Sequence, residues 1–188
     1  METVIGGREI TFNYSETWLG YSILGLRLVM AYVLLSAGLE KLAEGGWTNF
    51  GGWSAEGYLD PDSGFGVGPD NPFAGVFAEL AAQSAIVDPM VMWTQILIGL
   101  ALLFGVLFRL AVLGAALQML LFWIAAFEGG IMAGLPVQHG YLIDSSFVYA
   151  LVLFGLGAWG AGRILGVDAY LEELDVVQDN PWLKYLLG

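Results

Sequence analysis

Apolar and polar positions in this chain fall in long blocks rather than short periods. From Trp18 to Leu39 almost every position is apolar. That is about 22 residues, roughly 33 Å of helix, enough to cross a bilayer. Between Pro89 and Phe127 a second run of 39 residues carries one charge, Arg109. As one helix it would reach about 60 Å, twice the hydrocarbon thickness, so it must fold back with Arg109 at the hairpin tip. A last block starts at Asp144, an N-cap residue followed by Ser145 and Ser146, and runs through FVYALVLFGLGAWGAG to Arg163. The pattern predicts an all-α integral membrane protein, a four-transmembrane-helix bundle with spans at about 18–42, 89–107, 110–127 and 144–165. Glycines within these runs, Gly99, Gly105, Gly114 and Gly155 among them, allow close helix contact.

The segments between the blocks are polar or interfacial. Ahead of the first span, Ile10, Phe12 and Tyr14 alternate with Thr11 and Asn13, the pattern of a short strand or extended arm. The long loop 43–88 opens with Trp47, Trp53 and Tyr58, rings suited to a membrane interface. It passes through the turn-rich DPDSGFGVGPDNP. Asn71 then caps a helix with Pro72 at its first position, and Phe73, Val76, Phe77 and Leu80 give that helix one apolar face. Such a helix lies in the outer interface or re-enters the membrane. The domain organisation expected is an arm (1–17), a membrane domain (18–166) and an acidic tail (167–188) anchored by Trp182 and Tyr185.

Composition narrows the function classes. Of 188 residues 57% are hydrophobic and 13% charged, with mean hydropathy +0.71, too apolar for a soluble domain of this size. Cysteine is absent, which excludes disulfides, thiol relays and cysteine-ligated clusters. The single histidine, His139, excludes a bis-histidine haem within one chain. Eighteen acids stand against six bases, net −12, the surface of an extreme halophile. With no basic patch, nucleic acid is not an expected partner. A basic n-region and a cleavage motif are missing before the first span, so that span reads as an anchor. Four spans put both termini on one side, and Arg8, Arg109, Arg163 and Lys184 fall there against Lys41 opposite. The expectation is a multi-pass plasma-membrane protein with cytoplasmic termini.

Arg27 is the first candidate for chemistry. It lies roughly 13 Å past Trp18, close to mid-membrane, where a guanidinium costs about 2.5 kcal/mol or more and needs water, a polar partner or a ligand. Depth arithmetic puts Gln118 level with it and no carboxylate at its depth; Gln95 lies roughly 9 Å below the outer surface. Two readings stand: a quinone- or ligand-facing arginine, and a structural one bonding Gln118 and helix carbonyls. On the outer side His139, Asp144 and Glu128 form a polar cluster that falls short of a ligand motif, so no metal is assigned. Glu40 and Lys41 mark the outer end of span one, while Trp53, Glu56, Arg109 and Arg163 read as structural. Walker, Rossmann and triad patterns are absent.

Several blocks together resemble one family. RLVMAYVLLSAGLEKL, GWSAEGYL, NPF, IGLALLFGVLFR and HGYLIDSSFVYALVLFGLGAWGAGRILGVDAYLE are similar to the DoxX/DoxD family in its halophilic-archaeal branch. The resemblance covers nearly the whole chain. It implies a four-helix membrane bundle associated with quinone-linked respiration, since DoxD-type subunits belong to thiosulfate:quinone oxidoreductases. Relatives often carry an acidic residue and a histidine after the aspartate matching Asp144, where this chain has Ser145 and Ser146. The function expected is a membrane subunit of a quinone-linked redox complex, with a quinol-access site near Arg27. The alternative is a non-catalytic scaffold or assembly subunit. No covalent cofactor is expected, a quinone such as menaquinone is the ligand considered, and catalysis by this chain alone is not. The partners expected are the lipid bilayer and other membrane or redox subunits, with a homo-oligomer left open.

Overall fold

The computed structural model describes residues 2–5, 7–11, 15–45, 54–64, 66–127 and 143–188. Trp53, Glu128 and His139 lie outside them, as does Trp47. Strands β1 (Glu2–Ile5) and β2 (Arg8–Thr11) pair antiparallel, Glu2 opposite Thr11 and Ile5 opposite Arg8, so the described part of the arm is a small hairpin, and Phe12, Asn13 and Tyr14 lie outside the described residues. Helices follow: α1 (Glu16–Gly45), α2 (Ala55–Leu59), α3 (Ala74–Ala81), α4 (Ser84–Phe104), α5 (Phe108–Ala125) and α6 (Ser145–Trp159). A 3-10 turn (Ala161–Arg163), α7 (Asp168–Leu171), α8 (Asp175–Asp179) and a second 3-10 turn (Pro181–Tyr185) complete the chain.

Among the described residues three helices, α1, α4 and α5, are long and apolar enough to cross a membrane. The fourth expected span differs. α6 has 15 residues, about 22 Å of helix, and stops at Gly160, whose φ of 65° gives the left-handed cap that glycine favours. The apolar run to Leu165 continues as a 3-10 turn instead.

The other boundaries shift for identifiable reasons. α4 starts at Ser84, five residues before Pro89, because Asp88 on that added turn is satisfied by the Ala55 amide at 2.6 Å. The hairpin tip is Gly105–Leu107 rather than Arg109, which sits in the first turn of α5. Asn71 does not cap α3 as expected. Its side-chain oxygen accepts from Phe73, and its amide donates to the carbonyls of Ile124, Ala125 and Phe127. One buried asparagine thereby ties the long loop to the end of α5.

The core lies where α1, α4, α5 and α6 meet, around Met30, Leu34, Leu102, Phe108, Val112 and Leu153. α1 packs mainly on α4, and α5 on α6. Close approach requires glycine at Gly99, where a Cβ would stand 2.8 Å from the Leu35 backbone nitrogen. Gly38 meets Ile96 in the same antiparallel register, which brings Arg27 level with the α4–α5 turn. The outward faces carry exposed leucine and phenylalanine, such as Leu97, Leu113 and Phe154, suited to lipid. Trp18, Tyr21, Tyr170, Trp182 and Tyr185 are exposed on the segments at the hairpin end.

Candidate functional site

Polar side chains gather at two levels of the bundle. At the hairpin end, Arg27 is 2% exposed, and carbonyls of the chain leaving α6 take up its guanidinium. Nη1 donates to Ala161 O at 2.7 Å and Ile164 O at 2.6 Å, and Nη2 to Leu165 O at 3.5 Å. Ala161 O also accepts from the Ile164 amide at 3.3 Å in the 3-10 turn, whereas the carbonyls of Ile164 and Leu165 lie past the end of α6, so the guanidinium satisfies groups that burial would otherwise penalise. A carboxylate also interacts electrostatically with it: Asp168, fully buried. The expectation that no carboxylate shares this depth is corrected, because the tail folds back under the bundle. Asp168 accepts from the amides of Leu107, Phe108 and Gly188 at 2.7, 2.9 and 2.9 Å. Burial pushes its carboxyl up, and those three amides pull against the shift.

Gln118 is not level with Arg27. It lies ten residues along α5 from Phe108, roughly 15 Å from the hairpin end, and donates to Val91 O at 3.5 Å. Arg27 lies nearer the hairpin end than its distance from Trp18 implies, because α1 runs past the α4–α5 turn.

The second level is at the long-loop end. A cavity of about 420 Å³ lies between α1, α4, α5 and α6, within the roughly 300–1,000 Å³ of small-ligand sites. Its polar lining is Glu40 and Lys41 from α1, Gln95 from α4, and Ser145, Ser146 and Tyr149 from α6; Leu34, Met119 and Phe122 supply apolar wall. A second cavity of about 230 Å³ shares Lys41, Phe122 and Ser146 and extends toward Tyr58 and Asp88. Gln95 is 2% exposed, and its Oε1 has no hydrogen-bond partner among the described residues; the same holds for Gln118 Oε1. Lys41 also donates to Ala37 O at 3.2 Å. Burial, and then the charge of Asp144, hold the Tyr58 hydroxyl above the usual phenol range, keeping it a donor.

The structure thus brings Glu40, Lys41 and Gln95 together and separates them from Arg27. Asp144 caps α6, accepting from Phe147 at 2.9 Å. Glu56 is exposed in the first turn of α2, and Arg163 pairs with Glu172 at 2.6 Å. Among the described residues there is no cluster of three metal-ligating side chains. Asp88, Tyr149 and Asp168 escaped the sequence reading. Asp88 had a signal, an acidic residue abutting an apolar run, which the neighbouring proline concealed.

Residues 22–128 match the DoxX family. No curated protein and no solved structure matches the chain.

Proposed function

The chain belongs to the DoxX family and is a multi-pass membrane protein, and from that premise we propose that it serves a quinone-linked redox complex as a quinone-binding subunit. The observation that carries the reading is the cavity at the long-loop end, with the orphaned Gln95 carbonyl in its wall. The donors fit a quinone: Lys41, Gln95, Ser146 and Tyr149 can each give a hydrogen bond to a ring carbonyl. Gln95 Oε1 can accept from a hydroxyl of the reduced form. When bound, the quinone supplies two-electron redox chemistry, while these side chains orient its ring and Glu40 offers a carboxylate at the rim. Arg27 gives Nη1 and Nη2 to carbonyls while its Nε is buried without a partner among the described residues, and in this reading it supports the bundle rather than the ligand. Where the family resemblance leads one to look for an acidic residue and a histidine, Ser145 and Ser146 offer hydroxyls alone, which favours binding over proton relay.

In this reading the halophilic-archaeal branch, the plasma membrane and cytoplasmic termini go together: the acidic surface suits high salt, and the basic residues mark the inner side. The test is menaquinone affinity of the purified chain in high salt, beside its thermal stability. Gln95→Leu keeps the side chain near its volume and removes both polar atoms. It should lower affinity about fivefold to tenfold, the worth of one hydrogen bond, with Tm held or raised. Undiminished affinity in a folded variant refutes the site; a stable complex with other subunits and no bound quinone favours the scaffold reading.

A further inference from the structure

At the hairpin end, away from the quinone cavity, a groove of about 360 Å³ runs up the outside of the bundle between α5 and α6. Leu113 and Ala116 form one wall, Phe154 and Ala158 the other. The helices meet at its floor, where a Cβ on Gly157 would lie 2.6 Å from Val112 Cγ2. From Arg109 to Ala116 the groove covers roughly 10 Å of α5. Arg109 stands at its mouth with Tyr185 beside it, the Leu110 amide donating to Leu186 O at 3.3 Å to hold that segment against α5.

The charge at the mouth is out of balance. Arg109 is partly buried, and among the described residues its guanidinium makes neither a hydrogen bond nor an ion pair. Arg163, the neighbouring base, is taken up by Glu172. In a chain with eighteen acids, a guanidinium without a carboxylate partner among the described residues, beside a narrow apolar channel, selects an occupant that is anionic at one end and hydrocarbon along its length. A guanidinium fork matches phosphate oxygens, and a tyrosine at the same level is at home among headgroups.

We propose that this groove binds one anionic phospholipid. An acyl chain lies against Leu113, Ala116, Phe154 and Ala158, and Arg109 holds the phosphate. The proposal rests on α5, α6 and the Tyr185 segment and stands apart from the quinone reading.

The test uses the full chain in detergent, stripped of lipid and titrated with phosphatidylglycerol, with bound lipid counted by native mass spectrometry. Wild type should retain one lipid per chain. Arg109→Gln should weaken retention about fivefold or more, and Arg109→Lys should recover part of it. Ala158→Phe fills an exposed groove position without touching the charge, and it too should displace the lipid. Thermal melts of each variant establish that it is folded. Equal retention by wild type and Arg109→Gln overturns the proposal, as does retention unchanged by Ala158→Phe. Displacement of the lipid by inorganic phosphate overturns the acyl-chain contact, and a dimer mass in place of a lipid adduct overturns the occupant.

Discussion

Arg27 shows what one residue inside an apolar run can and cannot announce. Its cost in hydrocarbon follows from sequence alone, and so does its need for partners. The partners themselves do not, because they are backbone carbonyls of residues 161, 164 and 165, and any residue type offers a carbonyl. Gln118 stands out in the sequence because its side chain is polar. The tail carboxylate Asp168 reads there as one acid among many on a solvated segment. Arg27→Leu is expected to cost about 2–4 kcal/mol, since it leaves buried carbonyls and the Asp168 charge without their cation. A melt in native salt checks this, and quinone affinity of the folded fraction should stay at the wild-type value. An unchanged Tm would mean that water replaces the guanidinium.

At the scale of elements, apolar blocks located α1, α4 and α5 well, but not where each ends. Ends depend on caps and turns. Gly160 stops α6 through a positive φ, whereas the sequence presents it as one more glycine in a helix rich in them. α4 gains a turn before Pro89 because a distant amide satisfies Asp88. The α1–α4 contact is the most exacting of the helix pairs. At Gly99 a side chain would press on the Leu35 backbone and not merely on a movable methyl. Gly99→Val should therefore destabilise the bundle by about 1–3 kcal/mol, the range for overpacked cores. Gly25, where a Cβ would meet nothing within 4 Å, is the control: Gly25→Val should fall within about 0.5 kcal/mol of wild type. Paired thermal melts decide the point.

For the whole molecule, the membrane class was legible in composition and the polar cavity was not. That cavity is built from four helices whose contributing residues lie as far apart in sequence as Val33 and Tyr149. Orientation is testable because the chain has no cysteine of its own. A cysteine at the exposed Ser63 should react with an impermeant maleimide added to intact cells; labelling only after lysis reverses the topology. The net charge of −12 makes a separate prediction. Dilution from molar to roughly 0.1 M salt, where screening reaches about 10 Å, should lower Tm, and a flat response would remove the halophile reading. The staple at Arg27 also sets an order of events in time. It joins residues 134 to 138 positions apart, so its acceptors are made long after it. At roughly 5–20 residues per second, α1 waits on the order of ten seconds for them. During that interval the guanidinium has only water and headgroups to hold it, and α1 is seated provisionally. The seating of α1 becomes permanent only after Leu165 has been made and has left the ribosome.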